Sequence, residues 1–302
     1  MYDWQKKMKK FIILIPVFND WKSVSKLLVN IDSQIKNWNA DISIIIVNDS
    51  STEKRSGLES VYQKIRSVKI LNMNENRVHQ RCIAAGLKYI CENENFDRVI
   101  VMDADGEDRP EELNDFYKKS EENPNMTITG NRYKRSEGIV FKFLYEIHKL
   151  MTLVFTGKLI KFGNFTCLPK HHVQELIQKP YLWNSYSSSI VKAIKDRTFI
   201  RSIRGTRYVL PSKMNFFALI FHSLAIISVF KNLVIFRTAI FILFYLFLIF
   251  NKISLLTLLP IFLLLTFVFY ILKISMRADK EEFSRCLENI NSIDTLANPN
   301  SR

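Results

Sequence analysis

Val99-Ile100-Val101-Met102-Asp103-Ala104-Asp105 is a short apolar run that ends directly in two carboxylates separated by one alanine. Consecutive apolar residues of this length read as a strand covered on both faces, as in a parallel sheet. Three earlier stretches share the pattern: residues 11–18 stop at Asn19-Asp20, residues 42–47 at Asn48-Asp49-Ser50-Ser51, and 68–71 form a shorter third strand. Between them, residues 21–37 place Val24, Leu27, Leu28 and Ile31 on one helical side, and 79–91 space Ile83, Leu87 and Ile90 for packing. Alternating strand and helix predicts an α/β fold, a Rossmann-like and mostly parallel sheet with helices on both faces. Ligands of such sheets bind beyond the carboxyl ends of the strands. The polar clusters at 19–20, 48–49 and 103–105 all fall at those ends.

An Asp-x-Asp pair is common by chance in loops; at the end of a buried strand, beside two other polar strand ends, it has a chemical meaning. Asp103 and Asp105 can face one hard cation, Glu107 can add a third oxygen, and Mg²⁺ or Mn²⁺ takes such ligands together with substrate phosphates. A metal there stabilises a leaving diphosphate as a Lewis acid.

Beyond Gly130 the character changes. Residues 139–156 align Val140, Phe143, Leu144, Ile147, Met151 and Val154 on one helical face, with Lys142, Glu146 and Lys149 opposite. That pattern suits a helix lying in a membrane interface, or equally one packed on the sheet. Residues 214–230 are similar with a broader apolar face. Segments 233–250 and 253–274 are almost wholly Leu, Ile, Phe and Val, separated by Asn251-Lys252. Each is near the length that crosses a bilayer, and a soluble hairpin would keep a polar face. The expected organisation is a catalytic domain over 1–210, a juxtamembrane helix over 211–232, a transmembrane hairpin over 233–274 and a tail over 275–302. The short loop predicts an integral protein of the cell or inner membrane with both termini and the catalytic domain cytoplasmic. Arg237, one turn inside the first span, can snorkel to the headgroups.

The formal charge is +14, and all of the excess precedes the tail. With a membrane hairpin present, anionic lipid and phosphate-rich substrates account for it better than nucleic acid, which is not an expected partner. Between Lys192 and Lys213 there are seven basic residues and one acid, Asp196. This is either a solvated surface or an anionic docking site in which Arg204, Arg207 and Lys213 face an acceptor phosphate. Four cysteines show no metal spacing and fit reduced cytosolic thiols. Lysines 6, 7, 9 and 10 precede the first apolar run as in a signal peptide, but Pro16 and the absence of a small-residue cleavage site make it a strand. The five histidines have no zinc spacing.

The ordered pieces Ile15-Pro16-Val17-Phe18-Asn19-Asp20, Val47-Asn48-Asp49-Ser50-Ser51, His79-Gln80-Arg81 and Met102-Asp103-Ala104-Asp105-Gly106-Glu107-Asp108-Arg109-Pro110-Glu111 carry a resemblance, continued by Gly130-Asn131-Arg132 with Arg135, by Gly163-Asn164-Phe165 and by Ser212-Lys213-Met214. From about Phe11 to Arg237 the chain resembles the GT-A-fold family 2 glycosyltransferases, in the branch of the dolichol- and polyprenyl-phosphate sugar synthases. The resemblance implies an inverting, metal-dependent transfer from a nucleotide-sugar donor to a lipid-linked acceptor, with membrane lipids as partners and room for a homo-oligomer. It implies that Pro16, Asn19 and Asp49 hold the nucleoside, with Ser51 and Gln80 in the adjoining motif pieces. Asp103, Asp105 and Glu107 would hold the metal, and Arg132 and Arg135 would face phosphate. Two departures stand out. Gly163-Asn164-Phe165-Thr166 replaces a motif that often carries Asp and Arg, and Glu107 stands where glutamine is common. A hydroxyl acceptor on a membrane glycan and a non-catalytic nucleotide-binding scaffold are the alternatives.

Overall fold

Residues 11–17 are apolar on both faces of an extended chain, so they form a central strand rather than an edge. In the computed structural model, which describes residues 8–58, 62–134, 139–209 and 216–297, this strand is β1 (Lys9–Val17). Helix α1 (Trp21–Gln34), β2 (Ala40–Asn48), β3 (Ile65–Met73), α2 (His79–Asn93) and β4 (Arg98–Val101) follow as the alternation predicts. β1 pairs in parallel with β2 and β4, and β2 with β3. Side chains alternate between two cores. Phe11, Ile13 and Ile15 meet Val24, Leu27 and Ile31 of α1, while Ile12 and Leu14 meet Ile83, Leu87 and Ile90 of α2. α2 lies very close to the sheet at Gly86, where a Cβ would fall 2.5 Å from Leu14.

The second half of the sheet is built from α3 (Leu113–Glu122), β5 (Thr127–Lys134), α4 (Ile139–Thr156), β6 (Phe162–Pro169), α5 (Lys170–Leu176), α6 (Tyr186–Ala193) and β7 (Arg197–Ile203). Here β6 runs antiparallel to β4 and β5, whereas β5 and β7 are parallel. The eight-stranded order is β7-β5-β6-β4-β1-β2-β3-β8.

Helices α7 (Phe216–Ser228), α8 (Lys231–Ile249) and α9 (Leu255–Ser275) form a bundle with α4. Ile227, Val234 and Ile271 make its core, with Met151 and Phe155 of α4 packed against them. α4 therefore packs on the apolar hairpin and not on the sheet, and it leaves Ile147, Leu150 and Leu153 exposed. α8 and α9 are long and apolar enough to cross a membrane, and only 11% and 6% of their apolar windows are buried, which is unlike a soluble core helix. Ser254 starts α9 with a reciprocal capping box to Thr257.

The segment 275–302 was expected to be a tail; its described part, up to residue 297, returns to the domain. Asp279 caps α10 (Lys280–Ser284), and β8 (Ile290–Ala297) pairs antiparallel with the free edge of β3. The hydrogen-bonding demand of an otherwise open edge explains why so polar a strand docks there. Asp294 reinforces it through Arg55 at 2.7 Å and Asn72 at 3.1 Å.

Candidate active site

Strand β4 ends at Val101, and Met102 still donates its N–H to Leu14 O of β1. The chain must then turn, and the turn is organised by its own carboxylates. Asp108, which is 2% exposed, accepts from the Asp103 N–H at 3.0 Å, and Asp105 accepts from the Glu107 N–H at 2.9 Å. Gly106 sits between them at φ +87°, a left-handed conformation that favours glycine. The result presents Asp103, Asp105 and Glu107 from one loop at the carboxyl end of the sheet.

Each carboxylate has a cationic partner. His79, the first residue of α2, lies 3.0 Å from Asp103, and the Asn164 amide donates to the same oxygen at 3.0 Å. Arg132 of β5 reaches Asp108 at 3.3 Å. Arg207 binds Asp105 at 2.9 Å, and Arg204 binds Glu107 at 2.5 Å. Burial by itself would raise Asp103, but the His79 charge and hydrogen bond, Asn164 and Arg132 hold it well below the usual carboxylate range. Burial, then Asp103 and Glu107, push Asp105 up to about 6. Asp108 rises to about 7 through burial and the Asp103 charge, against Arg132. His79 is raised because its carboxylate neighbours outweigh its burial.

The segment carrying Arg204 and Arg207 is laced onto the carboxylate loop. Gly205 N donates to Glu107 O at 2.9 Å, and Tyr208 N to Asp105 O at 2.8 Å. The Tyr208 ring covers Gly106, where a Cβ would lie 2.8 Å from it, and its hydroxyl accepts from Asn30 at 2.9 Å. Arg204 and Arg207, expected at an acceptor phosphate, pair here with Glu107 and Asp105. Lys213 and Arg135 lie outside the described residues.

The expected nucleoside residues gather at the neighbouring strand ends. Asn19, at φ +51°, accepts the N–H groups of Thr52 and Glu53, and its own N–H donates to Ser51 Oγ at 2.9 Å. Asn19 and Ser51 thus tie the end of β1 to the loop after β2, beside the buried Pro16. Both oxygens of Asp49 accept backbone N–H groups, from Arg77 at 2.6 Å and Val78 at 3.0 Å. Asp49 thereby fixes the entry to α2 and so the position of His79. Gln80 donates to Asn164 Oδ1 at 3.2 Å and accepts from the Tyr186 N–H at 2.8 Å.

Three features escaped sequence reasoning: the His79–Asp103–Asn164 contact, Asp108 as the buried partner of Arg132, and the arginine pair on the carboxylate loop. The fixed offset of Asp108 from Asp103 was the one local signal available. Among the described residues, no group of three or more His, Cys, Asp or Glu side chains is gathered ready to hold a metal ion. Burial, then the His79 and His148 charges, pushes His222 of α7 down to about 4, against the pull of Asp103.

The fold is shared with solved glycosyltransferases. Glucosyl-3-phosphoglycerate synthase from Mycobacterium tuberculosis, solved with Mn²⁺, UDP-glucose and phosphoglyceric acid, superposes with a TM-score of 0.52 at 10% identity, over 75% of this chain and 80% of that one. Mannosyl-3-phosphoglycerate synthase from Rubrobacter xylanophilus gives 0.51 at 12% identity, covering 73% and 72%. In sequence, the undecaprenyl-phosphate 4-deoxy-4-formamido-L-arabinose transferase of Photorhabdus laumondii is 24% identical over 57% of this chain and 52% of its own length. The enzyme of the same name from Serratia proteamaculans is 26% identical over 64% and 57%. The chain thus spans little more than half the length of these curated relatives. The model of glycosyl transferase family 2 matches residues 12–183, from β1 through both carboxylate-bearing strand ends, and the chain belongs to that family.

Proposed function

We propose that this chain transfers a sugar from a nucleotide-sugar donor to a lipid-phosphate acceptor of the polyprenyl-phosphate kind, at a membrane crossed by α8 and α9. The observation that carries the reading is the meeting of two unlike surfaces. The carboxylate–arginine cluster is tied through Asn164 and Gln80 to Tyr186, beside which Asn184 donates to Ser228 of α7, an apolar helix whose far end leads into the hairpin. The names of the sequence relatives support the same acceptor class.

In the proposed step an acceptor phosphate oxygen attacks the anomeric carbon, and the nucleoside diphosphate leaves with the bonding electron pair, so the configuration inverts. Such an acceptor is already anionic and needs no general base. That agrees with Asp108, whose two oxygens are committed to the Asp103 N–H and to Arg132. Asp103, Asp105 and Glu107 are the residues that would hold Mg²⁺ or Mn²⁺, because one loop at the strand end supplies all three as hard oxygen donors. When bound, the ion would offset charge on the departing diphosphate. Arg204 and Arg207 would then be free to face phosphate, and Arg132 would fix its orientation. Rate would come mainly from positioning and electrostatic stabilisation. We assign residues 1–210 to catalysis and 211–274 to the membrane, with 280–297 rejoining the catalytic domain, and place that domain on the cytoplasmic face.

Purified protein incubated with native lipid extract and a panel of labelled nucleotide sugars tests the proposal. Label should enter the lipid phase with one donor, and Asp103→Asn should prevent it. Label recovered only in water-soluble or polymeric product would overturn the acceptor.

A further inference from the structure

A second cationic site lies behind the strand that carries Arg132. Alternation along β5 turns Arg132 toward Asp108 and turns Thr129 and Asn131 to the other side. There they line a cavity of about 220 Å³ with Lys161, Lys195 and Arg197. No carboxylate lines it. Among the described residues, none of these three cations forms an ion pair. Arg197 donates to the carbonyls of Ile190 and Val191, which holds its guanidinium against the end of α6. The Asn131 carbonyl oxygen accepts from Thr129 at 3.1 Å, which aims its amide donors away from that bond. Three unneutralised cations with hydroxyl and amide groups make a phosphate-binding lining.

The segments that line the cavity continue into contacts with the helical bundle. One wall is the segment after α4, where Arg237 of α8 donates to Val154 O at 2.9 Å and rests against Gly157. The other wall is the end of α6, where Lys192 donates to Val229 O at 2.6 Å, next to Lys231. Its rim carries Leu159 and Phe199, which are 43% and 55% exposed. Cations and apolar side chains side by side in one lining suit the level where phosphates and acyl chains of a bilayer meet.

We infer that this cavity binds the phosphate headgroup of an anionic membrane phospholipid, at a site separate from the one where sugar transfer takes place. The inference rests on the reading of α8 and α9 as a membrane hairpin. A lipid seated there would brace β5 from behind, and with it the strand position of Arg132.

Native mass spectrometry of the detergent-purified chain, titrated with phosphatidylglycerol or phosphatidylcholine, tests the assignment. The wild type should retain phosphatidylglycerol, and Lys161→Gln/Lys195→Gln should weaken that retention roughly tenfold, given the pull of each basic residue on anionic lipid. Both lysines are exposed, so the double variant should fold; adding Arg197→Gln should remove what remains. Lys22→Gln/Lys118→Gln, on exposed positions of α1 and α3, should change nothing. Equal phosphatidylglycerol retention by wild type and double variant would overturn the site. Displacement of the lipid by millimolar inorganic phosphate at equal occupancy would overturn the lipid as its source. Alkaline carbonate extraction reads the hairpin independently. Release of the wild-type chain from membranes would refute the hairpin, whereas unaltered lipid retention by the variants would refute the cavity alone.

Discussion

At the scale of single residues, the site is a balance of four carboxylates against three arginines and a histidine. Asp103→Asn or Asp105→Asn should lower sugar transfer at least about a hundredfold, the usual weight of a preorganised electrostatic group. Both variants should remain in the membrane fraction; retained turnover would remove these residues from the metal site. Asp108 has a different task. It is buried against Arg132 and holds the Asp103 N–H, so Asp108→Asn leaves a largely buried guanidinium without its counter-charge. Breaking such a pair costs about 3 kcal/mol or more. The unfolding midpoint in detergent should drop accordingly, and an unchanged midpoint would show that Arg132 finds another partner. Asp103 and Asp105 were legible because a strand of apolar residues delivers them to its tip. Their partners were not, because a guanidinium pair between loops far apart in sequence leaves no local pattern. Asp49 illustrates the same limit: its motif pointed to nucleoside binding, while its oxygens are occupied by the backbone that launches α2.

Among elements, the segment 204–208 decides access to the carboxylates. It is held by two backbone hydrogen bonds, by the ion pairs of Arg204 and Arg207 with Asp105 and Glu107, and by the Tyr208 ring over Gly106. A divalent cation competes with Arg204 and Arg207 for the same oxygens. Adding Mn²⁺ should therefore speed trypsin cleavage after Arg204 or Arg207, and a nucleoside diphosphate should slow it again by re-engaging the arginines. Cleavage indifferent to Mn²⁺ would mean that the segment stays put when metal binds. The elements differed in how well sequence revealed them. β1, β2 and α2 were legible because both faces of each central strand are apolar and the helical spacing is regular. β5, β7 and β8 were missed for a physical reason: each is polar on one face, and β7 and β8 lie at the sheet edges, where pairing partners rather than composition stabilise a strand. Deleting residues 290–302 should thus expose the β3 edge and lower the unfolding midpoint, with aggregation as the visible sign.

For the molecule as a whole, the return of the chain after α9 constrains its topology. α7 enters the hairpin from the catalytic domain, and α10 with β8 re-enters the same domain through Glu282, which pairs with Arg77 and Arg81, and through the β3 edge. A folded α/β domain cannot lie on both sides of a bilayer, so in the proposed spanning arrangement both ends of the hairpin face one side. At 1.5 Å per residue, α8 spans about 28 Å and α9 about 31 Å, close to the roughly 30 Å of a hydrocarbon core. The turn between Ile249 and Leu255 would then emerge opposite the catalytic domain. Lys252→Cys in that turn and Glu281→Cys at the start of α10 put single exposed thiols at the two levels. The native cysteines interfere little, because three are buried and burial raises Cys91 to about 11, keeping it protonated and unreactive at neutral pH. A membrane-impermeant maleimide should label Lys252→Cys from one side of sealed vesicles and Glu281→Cys only from the other. Labelling of both from the same side would turn the pair of helices from a spanning hairpin into a shallow, interface-bound one. Catalysis would then draw its lipid acceptor from the leaflet in which α4, α8 and α9 all lie.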